Sequence, residues 1–107
     1  MKAEIIVVQS STPPIVEIDW DAQSAYIRFS SAKVAKTVER PCDHCFIAID
    51  LDRHGKVIGV EAVGEAQIEI AAILKRASVR APNVDFSRVR YMRPNHIEEE
   101  DKNGVPA

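Results

Sequence analysis

The segment FIAIDLDRHGKVIGVEAV, residues 46–63, contains the pattern that decides the fold. Apolar side chains recur at every second position in both of its halves, which is the period of β-strands with one buried side. A polar run at 52–55 separates the halves and ends in Gly55, as hairpin turns commonly do. The segment therefore predicts a β-hairpin. Its buried side is predicted to contain Ile47, Ile49, Leu51, Ile58, Val60 and Ala62.

A second alternating pattern lies nearer the amino terminus. Apolar residues alternate with Glu17 and Asp19 over 15–20 and with Tyr26 and Arg28 over 25–29, and a short polar link at 21–24 joins the two runs. This arrangement predicts another hairpin.

Two shorter segments also read as strands. Residues 4–8 are rich in β-branched side chains and are followed by Pro13-Pro14, which cannot donate to a β-ladder. Residues 33–40 alternate weakly and stop at Pro41, which predicts an edge strand.

The period changes after Gly64, and a helix is predicted over 65–77. Its apolar stripe is formed at i, i+3, i+4 and i+7 by Ile70, Ile73, Leu74 and Ala77. One stripe and two one-sided hairpins pack most economically with the helix across a face of the sheet. The predicted fold class is α+β, an antiparallel β-meander of hairpins with one amphipathic helix packed on a face.

The chain divides into three predicted parts. Residues 1–14 form the first strand and its proline-containing turn, 15–94 form a single α+β domain with a further strand at 89–92, and 95–107 form an acidic, disordered tail. One core is expected to bury Ile18, Ile27, Phe29, Ile47, Ile49, Ile58, Val60, Ile70, Ile73 and Leu74.

Composition excludes several functional classes. The 107 residues are 46% hydrophobic and 28% charged, which is typical of folded proteins, and the net charge of -2 provides no basic surface for nucleic acid. The longest apolar run near the amino terminus, 5–8, is too short for a signal peptide or a membrane span. We therefore expect a cytoplasmic protein with neither a nucleic acid nor a membrane as partner.

The motif Cys42-Asp43-His44-Cys45 has the most reactive side chains of the chain. A disulfide between cysteines so close in sequence closes almost no loop, so reduced thiols are expected. Cys42 and Cys45 could ligate zinc, the one cofactor that the sequence suggests, but a structural zinc site needs four ligands. His44 is constrained by the motif, so His96 or a second subunit would have to complete the site.

Two other interpretations of the same motif stay open. Redox cysteines usually begin a helix, whereas Cys45 leads into a predicted strand, so thioredoxin-like chemistry is disfavoured. The thiols could also lie in a loop without any chemistry.

The run from Asp50 to Gly55, followed by Glu61, partly matches a calcium-binding loop. His54 occupies the position of an oxygen ligand. Glu61 would also lie roughly 20 Å from Gly55 along a strand. We predict a polar hairpin turn that does not bind calcium.

No serine has the flanking pattern of a catalytic nucleophile, so the sequence does not support an enzyme. Trp20 and Tyr26 flank the first hairpin turn and are candidates for an interaction surface. Cross-strand aromatic packing is the alternative role for the pair.

Five short segments together resemble a family of small bacterial proteins catalogued as domain of unknown function 2283. The segments are DWD at 19–21, AYIRFS at 25–30, KVAKTV at 33–38, IDLD at 49–52 and GKVIGVE at 55–61. The resemblance covers about residues 15–64 and implies a meander sheet with a helix, without an established activity. By analogy, it also implies binding to a partner, as in an antitoxin that pairs with a small toxin-like protein.

Two functions follow as hypotheses. The first is a protein-interaction module, and the alternative is a small zinc or redox protein that uses Cys42 and Cys45. A two-fold homodimer is predicted because the second face of the sheet is half apolar. The apolar residues expected on that face are Phe46, Ala48, Val57, Gly59 and Val63.

Overall fold

The computed structural model describes residues 4–64 and 68–92. Within them the chain forms eight strands, one α-helix and one 3₁₀ helix. The strands are β1 (Ile6–Val7), β2 (Ile15–Asp19), β3 (Ser24–Arg28), β4 (Lys36–Arg40), β5 (Phe46–Leu51), β6 (Val57–Val63), β7 (Val79–Arg80) and β8 (Arg90–Met92). The helix α1 covers Ile70–Ala77, and the 3₁₀ helix covers Phe86–Arg88.

Six of these strands form the main sheet, in the order β4-β5-β6-β3-β2-β8. Both predicted hairpins are present as the antiparallel pairs β2–β3 and β5–β6. The α+β fold class is therefore confirmed, but the strands do not follow one continuous meander. β3 pairs with β6 rather than with β4, and β8 pairs in parallel with β2.

The helix packs on one face of the sheet, which we call the helix-side face. Ile73, Leu74 and Ala77 of α1 belong to the same buried cluster as the inward residues of β2, β3, β5 and β6. Arg40 fastens the helix end to the edge strand, because its Nε donates to the carbonyl of Ala77 at 2.9 Å. Its Nη2 also donates to the carbonyl of Glu4 at 2.8 Å, next to β1.

The small second sheet extends this layer. β1 pairs in parallel with β7, in the register Ile6 to Val79 and Val7 to Arg80. The predicted first strand is thus confirmed, and it lies against the segment that follows the helix. Val8 and Val79 complete the buried cluster there.

The core agrees closely with the alternation in the sequence. Seven of the ten predicted core residues are buried, namely Ile27, Ile47, Ile49, Ile58, Val60, Ile73 and Leu74. The other three, Ile18, Phe29 and Ile70, are partly buried and pack against the cluster.

One residue that the alternation places on the second face lies in the core instead. The β5–β6 register shifts at Asp50/Leu51, so that Leu51 pairs with Val57 and Asp50 pairs with Gly59. This irregularity leaves Ile58 as an extra residue and turns Val57 inward, where it is 7% exposed. The assignment of Val57 to the second face was wrong for this reason.

The predicted tail at 95–107 and the first residues of the predicted helix, 65–67, lie outside the described residues. The residues that follow show α1 beginning at Ile70.

Candidate functional site

The face opposite the helix, which we call the open face, has a hydrogen-bonded cluster centred on Asp50. Tyr26 Oη donates to Asp50 Oδ2 at 2.7 Å, and Thr37 Oγ1 donates to Asp50 Oδ1 at 2.7 Å. The strand register creates this arrangement, because Thr37 is paired with Asp50 and Asp50 with Gly59. Three strands, β3, β4 and β5, thereby contribute to one carboxylate.

Gly59 allows Tyr26 to reach across β6. A Cβ at Gly59 would collide with the Cε2, Cζ and Oη atoms of the Tyr26 ring, so the ring lies directly on the glycine backbone. The guanidinium of Arg28 lies 4.8 Å from the ring centroid and is held by Glu17, with Arg28 Nη2 to Glu17 Oε1 at 3.2 Å. Within residues 4–64 and 68–92, the open face is thus covered by its own side chains rather than by a second layer.

The cluster makes the Tyr26 phenol harder to ionise than an ordinary tyrosine. Burial raises the pKa of Tyr26 above its ordinary value, and the hydrogen bond to Asp50 and the charge of that carboxylate raise it further, against the opposing charge of Arg28. Such a phenol is a hydrogen-bond donor and not a base at neutral pH. Both Asp50 oxygens are engaged, so the cluster is equipped to hold the sheet surface in shape rather than to transfer a proton.

The Cys42–Cys45 motif lies in the turn between β4 and β5. The two cysteines are joined as a disulfide with their Cα atoms 5.4 Å apart, so the expectation of reduced thiols was wrong. His44 adopts a positive φ of 65° between them. Zinc would need the reduced pair, and zinc binding here stays a prediction; His96 lies outside the described residues.

A shallow depression surrounds this disulfide. It is lined by the motif itself, by Gly64 and by Arg76 from the last turn of α1. A Cβ at Gly64 would come within 3.2 Å of the His44 carbonyl oxygen, so the glycine packs tightly under the loop. One side of the disulfide loop is thereby backed by β6.

Asp50 and Asp52, at the turn between β5 and β6, make separate sets of contacts. Asp52 Oδ1 accepts hydrogen bonds from the backbone N–H of His54 at 2.8 Å and of Lys56 at 2.9 Å, and Gly55 has a φ of 81°. The bond from Lys56, with that from His54, lowers the pKa of Asp52. Asp50 meanwhile points to Tyr26, and the calcium-loop carboxylates do not converge. The polar-turn interpretation explains each of these contacts.

Trp20 and Tyr26 do not share a surface. Tyr26 lies half-buried on the open face, whereas Trp20 follows the inward-facing Ile18 and is 68% exposed. Trp20 borders a shallow apolar depression together with Ile18, Ile68, Tyr91 and Met92. We call Trp20, Tyr91 and Met92 the aromatic edge cluster.

Tyr91 and Met92 could not be identified as surface candidates from the sequence. A strand was predicted at 89–92, but the residue pattern of so short a segment does not show which other strand it pairs with. Its parallel pairing with β2 brings Tyr91, 62% exposed, next to the first hairpin.

Metal binding and membrane insertion were both considered for the described residues in terms of their side chains and helices. Among residues 4–64 and 68–92, no three His, Cys, Asp or Glu side chains gather in a geometry that could hold a metal ion. In the same part of the chain, no helix has the length and apolar character needed to cross a membrane.

Comparison with known proteins gives one match. No curated protein and no solved structure matches this chain. Residues 15–64, which include the Asp50 cluster, the disulfide and the aspartate turn, match the model of the family described as "Protein of unknown function (DUF2283)". The resemblance of β2 to β6 to this family of unknown function is therefore confirmed.

Proposed function

We propose that the chain is a protein-interaction module that binds a second copy of itself along β8. The observation that supports this proposal is the aromatic edge cluster, where Trp20 and Tyr91 are 68% and 62% exposed beside the outer edge of the sheet. Tryptophan and tyrosine are the side chains that most often dominate protein interfaces.

The two edges of the main sheet differ in their protection. β4 has Lys36, Glu39 and Arg40, and charged residues on an edge strand discourage pairing with another chain. β8 combines Arg90 with the exposed Tyr91 and Met92. Of the two terminal strands of the sheet, β8 is therefore the better template for association.

A two-fold axis at Tyr91 gives a consistent pairing of two copies. Antiparallel β8 strands would place Tyr91 opposite Tyr91 of the second copy and Arg90 opposite Met92, so that no like charges face each other. Tyr91 is paired with Val16, so it lies on the helix-side face with Trp20. Trp20 and Tyr91 of both copies would then meet on the same side of the joined sheet.

The open face is the weaker candidate for a dimer interface. Val57 is in the core, Gly59 lies under the Tyr26 ring and Ala48 is buried, so little of the expected apolar surface is exposed. Phe46 is the large apolar residue that remains, and Glu39 and Glu61 lie exposed on the same face. Two such faces would bring acidic side chains together.

The mass of the protein in solution tests the proposal. Sedimentation at micromolar concentrations should give about twice the chain mass of 11.9 kDa. Trp20→Ser and Tyr91→Ser should each give a monomer, whereas Phe46→Ser is a matched aromatic control on the open face and should stay dimeric. Circular dichroism would verify that each variant is folded.

The fluorescence of Trp20 reports directly on the interface, because Trp20 is the single tryptophan of the chain. Its fluorescence should shift to shorter wavelength as the concentration rises and water is excluded from it. A monomer at all concentrations, or a dimer abolished by Phe46→Ser alone, would contradict the proposal. An antitoxin-like role, in which a small toxin-like protein occupies this surface, is a proposal of the same class that copurification would test.

A further inference from the structure

We propose that Cys42 and Cys45 form a thiol–disulfide exchange site whose substrates are thiols and disulfides of low-molecular-weight compounds or of cysteine peptides. The proposal rests on the disulfide, its exposure and the charges around it. It is independent of the dimer.

The disulfide contributes little to the stability of the fold. It closes a ring of only four residues, so it removes little conformational entropy from the unfolded chain. The strands on either side are already joined by the β4–β5 ladder, which continues to the pair Arg40 and Ile47 beside the motif. A bond that adds little to the fold can open without loss of the fold.

The two cysteines border the depression on one side and pack against the core on the other. Cys42 and Cys45 are partly exposed, and Asp43 and His44 between them are exposed. Gly64 packs against the loop and lines the same depression. A thiol can therefore approach from the depression while the protein backbone supports the loop from behind.

The charges that line the depression act on the reduced state. Neither cysteine begins a helix, so the usual dipole that stabilises a thiolate is missing from this site. Arg76 lines the same depression, and its positive charge would favour the thiolate and hence the reduced pair. Asp43 lies within the motif and has the opposite effect.

The exchange proceeds in two steps that balance. A substrate thiolate attacks one sulfur, a new S–S bond forms, and the Cys42–Cys45 bond breaks with its electron pair moving to the other sulfur. A second substrate thiolate then attacks the substrate sulfur of this mixed disulfide and releases the first cysteine as a thiolate. Two thiols are oxidised to one disulfide, the protein disulfide gains two electrons, and the two protons pass to the cysteines or to solvent.

Equilibration in glutathione buffers tests the site. The protein is incubated at a series of ratios of reduced to oxidised glutathione, and the exchange is stopped with an alkylating agent. Mass spectrometry then gives the fraction of protein with alkylated, and hence reduced, cysteines. The wild type should pass from disulfide to dithiol within the range of ratios. A parallel series with a two-cysteine peptide is sampled over time. The rates of exchange with the peptide and with glutathione are compared, and the faster of the two identifies the preferred class of substrate.

Charge variants test the assignment of Arg76 as a positioning residue. Arg76→Gln should shift the equilibrium toward the disulfide by about three- to tenfold, and Asp43→Asn should shift it the other way. Lys75→Gln is the matched control, because Lys75 is in the same helical turn but does not line the depression. The Cys42→Ser/Cys45→Ser double variant should keep the circular dichroism spectrum of the wild type.

Three results would overturn the proposal. One is a pair that stays fully oxidised or fully reduced at every ratio. Another is an equilibrium that Arg76→Gln and Asp43→Asn leave unchanged or shift in the same direction. The third is stoichiometric zinc in the purified protein, with thiols that do not exchange until the metal is removed.

Discussion

The two faces of the main sheet are stabilised in different ways although the same strands build both. The helix-side face is formed by aliphatic side chains such as Ile47, Ile49 and Val60, which are fully buried beneath α1. On the open face, Tyr26 and Thr37 donate to Asp50, and the Tyr26 ring covers Gly59. In the part of the chain that the structure describes, hydrogen bonds and one aromatic ring thus protect the face of the sheet that lacks a helical layer.

The largest expected effect lies on the helix-side face. Ile49→Ala removes a fully buried side chain from the centre of the sheet, and the lost burial and the resulting cavity should lower the free energy of unfolding by about 2 to 4 kcal/mol. Urea denaturation measures this change. An unfolding midpoint equal to that of the wild type would contradict the placement of Ile49 in the core.

A smaller effect is expected from Gly59→Ala on the open face. The added methyl group has to displace the Tyr26 ring, which should cost about 1 to 3 kcal/mol. The same substitution in a Tyr26→Ala background should cost much less, because the ring is then absent. Equal costs in both backgrounds would show that the ring does not cover Gly59.

The smallest effect is expected from Tyr26→Phe, which removes one half-buried hydrogen bond to Asp50 and should cost about 1 kcal/mol. The pKa of Tyr26 is raised in the folded state, so the folded protein retains this proton at a pH where the unfolded chain releases it. The stabilisation is therefore complete below the ordinary tyrosine value of about 10 and is lost as the pH rises toward the folded pKa.

Thermal unfolding between neutral pH and pH 11 measures this loss. The wild type should lose more stability than Tyr26→Phe over that range. Identical pH profiles for wild type and Tyr26→Phe would contradict the link between the phenol and the fold.

The candidate sites could be predicted from sequence only in part. The Cys42–Cys45 motif and Trp20 are visible as unusual residue types, and both lie on surfaces that the proposals use. Arg76 and Tyr91 are ordinary residues in the sequence. They become relevant because α1 ends near the β4–β5 turn and because β8 pairs with β2, and both facts depend on contacts between distant segments.

The sequence by itself determined the two hairpins, the helix α1 and most residues of the core, because alternation and helical periodicity are local properties that follow which side chains are buried. Only the tertiary structure decided the strand order, the inward turn of Val57 and the reach of Tyr26 to Asp50. The physical reason is that strand pairing and register shifts are settled by packing between segments far apart in the chain, and a period of two cannot show where an extra residue will be inserted.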